Sequence, residues 1–116
     1  MTEERNPVAG VDRNGTATIV RLAGELDLYN APLVREALLG VVRERPARLV
    51  VDLGEVEFLD STALGVLVEA SGELEDRRAF ALAAPGAETR RALEVSGLDT
   101  RFSVFGSVDE ALAAGA

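Results

Sequence analysis

The chain lacks four residue types that most catalytic and metal-binding sites use. Its 116 residues include no cysteine, no histidine, no tryptophan and no lysine, so all 12 basic side chains are arginine. Without cysteine, disulfides, thiolate metal sites and thiol nucleophiles are excluded. Without histidine and lysine, a Ser–His relay, an imidazole metal site and a Schiff base are excluded as well. Only carboxylates remain for acid–base or Mg²⁺ chemistry, so the sequence indicates a protein that is not an enzyme.

Acidic side chains dominate the charge that is present. Twenty carboxylates against 12 arginines give a net charge of −8. Such a surface repels phosphate backbones and anionic membrane faces, so we expect neither nucleic acid nor a membrane as a partner. A basic patch on another protein remains possible. No apolar run is long enough to span a bilayer and the first residues do not resemble a secretory signal, which predicts a cytoplasmic location.

Apolar periodicity predicts strands that alternate with helices. Residues 16–23 alternate and are rich in β-branched side chains, and residues 49–53 form a short apolar run typical of a buried strand. A weaker strand over 8–11 precedes them, with a hairpin turn at Arg13-Asn14-Gly15. The other predicted elements are strands over 79–83 and 102–105, a helix over 87–95 that ends at Gly97, and helices that begin near residues 30, 60 and 107. The pattern predicts a disordered tail over residues 1–7 and, over 8–116, a single small α/β domain with a mixed, mostly parallel sheet and alternating helices.

Three small polar residues, Asp60-Ser61-Thr62, stand where a predicted strand passes into a helix. One side-chain oxygen is enough to cap a helix, so a purely structural role is one interpretation. The carboxyl end of a parallel sheet is also where α/β proteins bind ligands, which favours a functional role. The residues alone leave these two interpretations equally open.

Three segments resemble, in the right order, the anti-sigma factor antagonists, also called STAS domains. Residues 51–70, VDLGEVEFLDSTALGVLVEA, resemble a strand and loop followed by D-S-[ST]-[GA]-L-G. Residues 22–27, LAGELD, resemble L-x-G-E-[LI]-D, and residues 91–98 resemble R-x-[LF]-x-[LVM]-[ST]-G-L. The resemblance extends over nearly everything from Gly15 to Leu112. Ala63 takes a position where glycine is commoner.

The resemblance implies a STAS-like fold and a partner-switching cycle. In that cycle the unphosphorylated protein binds an anti-sigma factor that is itself a serine kinase, and the sigma factor is released. The kinase then phosphorylates the serine that follows the aspartate, which is Ser61 here, with Thr62 as second choice. A serine phosphatase resets the cycle. ATP and Mg²⁺ belong to the kinase, so no cofactor is expected on this chain.

The resemblance also indicates residues that contact the partner. They are Asp27, Tyr29, Asn30, Asp60, Thr62 and Gly65. It implies that Asp27 lies beside the serine, where its carboxylate could orient the hydroxyl. By its sequence context alone, Asp27 is a loop aspartate or a helix-entry residue. For Asn30 and Tyr29 the context favours a helix cap and a packing residue over partner contact. Gly24 and Gly65 are expected to permit close backbone approach.

Other classes of protein fit the sequence less well. A receiver-type phosphoprotein characteristically needs a lysine, and a histidine-phosphorylated carrier needs a histidine. A STAS domain that binds without a kinase cycle, as a scaffold or beside a transporter, remains an alternative, although the intact Asp60-Ser61-Thr62 run favours a switch. A carboxylate enzyme is the third class, and it requires a deep pocket lined by paired acids.

Overall fold

The computed structural model describes residues 6–114, which form one five-stranded sheet with four helices. The strands are β1 (Val8–Asn14), β2 (Ala17–Leu26), β3 (Arg48–Leu59), β4 (Phe80–Ala83) and β5 (Ser103–Phe105). The helices are α1 (Ala31–Arg43), α2 (Ser61–Glu73), α3 (Ala87–Ser96) and α4 (Val108–Ala114), and a 3-10 turn over Arg77–Ala79 precedes β4. No helix within 6–114 is both long and apolar enough to cross a membrane.

Strand order follows chain order, β1-β2-β3-β4-β5. β1 pairs antiparallel with β2, and the remaining neighbours are parallel, which confirms the predicted mixed sheet. The hairpin between β1 and β2 turns at Gly15-Thr16, where Gly15 has φ +64°. That left-handed conformation favours glycine. Because Arg13 and Asn14 are still paired with β2, the turn begins two residues later than predicted and β1 is longer.

The predicted N-terminal tail falls mostly outside the described residues, because residues 1–5 are not described. Residues 6 and 7 are described. Pro7 is buried, and its carbonyl accepts a hydrogen bond of 2.9 Å from the Ala23 amide. The chain therefore contacts the sheet from Pro7 onward.

Two apolar clusters pack against opposite faces of the sheet. The larger one joins alternate residues of the central strands, such as Leu22, Val51 and Leu82, to buried residues of α1, α2 and α3. The smaller one joins the intervening residues, such as Val50 and Ala81, to α4. Because successive strand residues point to opposite faces, this pattern places α1, α2 and α3 on one face and α4 on the other.

β3 is longer than predicted, and the difference positions the site. The sequence predicted a strand over 49–53, but pairing with β2 continues to Leu59. Two register shifts interrupt that pairing, and exposed Gly54, Glu55 and Glu57 lie within the extension. These residues are typical of loops, because β-propensity disfavours glycine and acids, yet irregular pairing accommodates them. As a result β2 and β3 end together, with Leu26 opposite Leu59.

Helix ends follow local chemistry that the sequence shows. α3 ends at Gly97, which has φ +78°, as predicted. Before α4 the Ser107 hydroxyl accepts from the Glu110 amide at 3.1 Å, as a capping box requires. The Glu110 carboxylate in turn accepts from the Gly106 amide at 3.0 Å.

Candidate functional site

The matched ends of β2 and β3 bring two aspartates to one place. Asp27 follows Leu26, Asp60 follows Leu59, and Leu26 and Leu59 are partners in the parallel register. The Asp60 amide donates to the Leu26 carbonyl at 3.0 Å, which extends the ladder by one bond. Asp27 and Asp60 therefore lie side by side at the carboxyl end of the sheet, where α1 and α2 begin.

Asp60 is the N-cap of α2. Its backbone is extended, with φ −97° and ψ −177°, and its Oδ1 accepts from the Ala63 amide at 3.0 Å. The helix consequently begins at Ser61, as predicted. One carboxylate satisfies the cap, so the hydroxyls of Ser61 and Thr62 are not needed for it. Both residues are exposed in the first turn of α2.

Asp27 caps the turn that leads into α1. Its Oδ1 accepts from the Tyr29 amide at 3.0 Å and from the Asn30 amide at 3.2 Å. Its own amide donates to the Asn30 side-chain oxygen at 2.8 Å. These reciprocal bonds have the pattern of a capping box, with Asp27 in the N-cap role. Asp27 thus serves the entry to α1, which agrees with the interpretation drawn from its sequence context.

The prediction that Asn30 caps α1 is wrong. Asn30 stands directly before the helix but makes no side-chain cap bond, because its backbone is already helical with φ −104° and ψ −7°. A capping side chain needs an extended backbone to reach the amides ahead of it. Its side-chain amide instead donates back to the Glu25 carbonyl at 2.7 Å, which ties the turn to the end of β2.

The two glycines near the site do not allow a close approach within this chain, contrary to expectation. A Cβ placed on Gly24 or Gly65 meets no atom within 4 Å. Gly24 is required for another reason, because its φ of +79° is unfavourable for any other residue. Gly65 is exposed on the outer side of α2, one turn beyond Ser61, and nothing within the described chain requires a glycine there.

Arginine is missing from the two segments that form this end of the sheet. Residues 24–34 and 54–65 carry five carboxylates and no basic side chain. The five are Glu25, Asp27, Glu55, Glu57 and Asp60. The nearest ion pair along α2 joins Arg35 of α1 to Glu69 at 2.7 Å, two turns away from Ser61. That hydrogen bond holds the pKa of Glu69 below its usual value. The segment that contains Ser61 and the segment paired beside it are therefore acidic.

Comparison with known proteins assigns the family. The STAS domain model matches residues 9–111, which is most of the chain. The chain belongs to the STAS domain family. This STAS domain is 38% identical over 105 residues to the anti-sigma-F factor antagonist RsfB of Mycobacterium tuberculosis, across 90% of this chain and 85% of RsfB.

Solved structures agree with that assignment. The crystal structure of an anti-sigma factor antagonist from Mycobacterium paratuberculosis superposes with a TM-score of 0.85 at 36% identity, over 90% of this chain and 89% of the other. The phosphorylated form of the Bacillus cell fate determinant SpoIIAA superposes with a TM-score of 0.68 at 20% identity, over 90% and 96% of the two chains. The last likeness shows a shared fold.

Large apolar side chains are exposed near the carboxyl end of the sheet of this STAS domain. The sequence indicated only one of them, Tyr29, and its interpretation as a packing residue is wrong. The exposed fractions are 64% for Leu28, 91% for Tyr29, 52% for Leu33 and 47% for Phe58. Among the described residues only one other large apolar side chain, Val95 at 80%, is comparably exposed. Sequence alone cannot separate such residues from core residues, since both occur in amphipathic segments. The detectable signal is the pair Leu28-Tyr29 directly after a capping aspartate.

Over the residues that it describes, the structure offers no second candidate site at this end. Within 6–114 no group of three or more histidine, cysteine, aspartate or glutamate side chains could hold a metal ion. A cleft of about 650 Å³ lies among the C-terminal ends of α1 and α2, where Arg45, Pro46 and Leu74 line it. It lies at the opposite end of the sheet from Ser61 and does not belong to the site.

Proposed function

We propose that this STAS domain is an anti-sigma factor antagonist that is switched by phosphorylation of Ser61. In its unphosphorylated form it binds an anti-sigma factor with serine kinase activity, and the sigma factor is released. Phosphorylation ends the binding, and a serine phosphatase restores it. The protein acts in the cytoplasm as a binding module, and ATP belongs to its partner. Its similarity over most of its length to proteins named as anti-sigma factor antagonists supports this function.

The observation that carries the proposal is the position of Ser61. It is exposed as the first residue of α2, and Asp60 alone provides the cap. A hydroxyl that neither caps the helix nor lies in the core is accessible to a kinase, and its modification does not disturb the fold. Thr62 is also exposed and remains the second choice.

The charges in the segments around Ser61 oppose a phosphate there, whereas the helix N-terminus stabilises it. A phosphate on Ser61 adds about 1.5 to 2 negative charges and three acceptor oxygens. The first amides of α2 stabilise it by about 0.3 to 1 kcal/mol. The five carboxylates of residues 24–34 and 54–65 oppose it, and no arginine in those segments can pair with it.

The cost of the phosphate appears when the partner covers this surface. A dianion buried without cations costs several kcal/mol. A penalty of about 3 kcal/mol weakens binding about a hundredfold, since each 1.4 kcal/mol is tenfold. No change of fold is needed for that effect. We therefore expect Ser61→Asp to lose partner binding while its backbone NMR spectrum changes only near α2, and shifts throughout the sheet would argue against this mechanism.

Mass spectrometry tests the proposal directly. Each anti-sigma factor of the host genome is incubated with the protein and ATP, and both intact mass and fragments are measured. We expect a single phosphate on Ser61, absent from Ser61→Ala and retained in the matched control Thr62→Ala. The isolated phosphoprotein should bind the same anti-sigma factor about a hundredfold more weakly.

Two other results would change the proposal. A phosphate on Thr62 keeps the mechanism and moves the site by one residue. Stable binding to an anti-sigma factor without any phosphorylation contradicts the switch and favours a non-switching STAS scaffold or a transporter-associated interaction domain.

A further inference from the structure

The loop between β2 and α1 is held in one conformation by its own hydrogen bonds. Four of them involve the side chains of Asp27 and Asn30, at distances from 2.7 to 3.2 Å. A fifth runs from the Ala31 amide to the Asp27 carbonyl at 2.8 Å. The loop is therefore a helical turn fixed at both ends, and it is tied to the neighbouring strand through Glu25.

This fixed loop holds two large apolar side chains in water. Tyr29 is 91% exposed and Leu28 is 64% exposed. Tyr29 therefore adds almost nothing to the fold by burial and Leu28 adds less than a core leucine, since about 25 cal/mol per Å² is gained only when apolar surface leaves water. Clustered apolar side chains on a polar surface are typical of protein-binding sites. Because the loop is fixed by bonds that do not involve these side chains, binding through them would require little ordering.

We propose that Leu28 and Tyr29 are the anchor residues by which this protein binds its anti-sigma factor. The inference rests on the proposed function and adds the chemistry of the partner surface. That surface offers an apolar pocket for the two side chains, and its basic side chains pair with the five carboxylates, so that none is left to pair with a phosphate on Ser61. The five carboxylates and the missing arginines in residues 24–34 and 54–65 require that complementarity.

The geometry also assigns a role to Asp27. Its Oδ1 is occupied by the amides of Tyr29 and Asn30, so it is a positioning residue for the loop. This differs from orienting the Ser61 hydroxyl, the role that family resemblance implies.

The loop that carries Leu28 and Tyr29 is adjacent to the phosphorylation site, because the Asp60 amide donates to the Leu26 carbonyl directly before the loop. A phosphate on Ser61 therefore acts at the border of the contact made by Leu28 and Tyr29.

Alanine variants of the two anchors test the proposal. The probe is the anti-sigma factor that binds the wild-type protein, and the affinity is measured by titration calorimetry. Tyr29→Ala and Leu28→Ala should each weaken binding at least tenfold, as truncated hot-spot residues do. Val95→Ala is the matched control, since Val95 is 80% exposed near the C-terminal end of α3, at the other end of the sheet. It should bind like the wild type, and all three variants should keep the wild-type melting temperature.

Two variants of Asp27 separate its possible roles. In Asp27→Asn the new side chain keeps an oxygen that accepts the same two amide bonds, because asparagine and aspartate are equally good caps. If Asp27 positions the loop, Asp27→Asn keeps phosphorylation and loses only the small contribution of one carboxylate to binding, whereas Asp27→Ala, which also frees the loop, weakens binding much more. The loss in Asp27→Ala should also add little to that of Tyr29→Ala in the double variant, since both act on one contact. Loss of phosphorylation in Asp27→Asn with binding intact would instead show that the carboxylate acts on the serine.

The outcomes distinguish this inference from the function on which it rests. If the wild-type protein binds no anti-sigma factor, the proposed function is wrong and the anchors have no such partner. If the wild type binds while Tyr29→Ala and Leu28→Ala bind like Val95→Ala, the function stands and the anchor proposal is overturned.

Discussion

Asp60 allows the two contributions of a helix cap to stability to be measured separately. In Asp60→Ala the Ala63 amide loses its acceptor at 3.0 Å and the N-terminus of α2 loses a neighbouring negative charge. In Asp60→Asn the acceptor oxygen remains and only the charge is lost. The two variants therefore separate the hydrogen bond of the cap from the interaction with the helix dipole.

The expected magnitudes follow from these two contributions. Losing a capping side chain costs about 1 kcal/mol, and losing a carboxylate at a helix N-terminus costs about 0.3 to 1 kcal/mol. Asp60→Ala should thus lower the free energy of unfolding by about 1 to 2 kcal/mol, and Asp60→Asn by less than about 1 kcal/mol. For a domain of this size about 1 kcal/mol corresponds to a change of roughly 4 °C in melting temperature.

Urea denaturation followed by circular dichroism gives the comparison, with Thr62→Ala as a control at an exposed position of the same helical turn. An unchanged stability in Asp60→Ala would refute the capping role. Equal losses in Asp60→Ala and Asp60→Asn would show that the charge, and not the hydrogen bond, stabilises the start of α2.

Other predictions concern backbone conformation and pH. Gly24→Ala should destabilise the fold by about 1 to 2 kcal/mol, because φ is +79° there. Gly65→Ala should stabilise it by about 0.5 to 1 kcal/mol, as alanine does in a helix interior. Urea denaturation measures both, and a change of the same sign in the free energy of unfolding of the two variants would contradict the structure. Glu69→Gln should lower the melting temperature at pH 7, and by progressively less as the pH falls below 4.5. The hydrogen bond from Arg35 lowers the pKa of Glu69, so its contribution is present above the ordinary value of 4.5 and is lost as the pH falls through the lowered pKa. A difference that does not shrink as the pH falls below 4.5 would contradict this explanation.

Much of the fold could be predicted from local patterns. Strong apolar periodicity located the four helices and the central strands, and Gly97 and Asp60 marked a helix end and a helix start correctly. The second half of β3 could not be predicted, because Gly54, Glu55 and Glu57 are typical of loops. Pairing with β2 across two register shifts decides that segment, and pairing is a long-range property.

The site was predictable in part for a similar reason. The run Asp60-Ser61-Thr62 is visible as polar residues before an apolar stripe, and the structure places it at a helix start. Which of Asp27 and Asn30 caps the next helix was not predictable, since both residue types are good caps and the decision depends on where the first helical carbonyl lies. The Ala31 amide bonds to the Asp27 carbonyl, so the turn begins three residues before Asn30.

The two helix starts at this end of the sheet share one arrangement, and it separates folding from binding. At each start an aspartate accepts backbone amides, Asp27 before α1 and Asp60 before α2, and the two residues that follow it are exposed. The aspartates stabilise the fold through these bonds, so a substitution that removes the accepting oxygen lowers the stability. The pairs Leu28-Tyr29 and Ser61-Thr62 contribute nothing to either cap through their side chains. Under the proposed function, the partner binds Leu28-Tyr29 and the kinase modifies Ser61 while the fold beneath them stays the same.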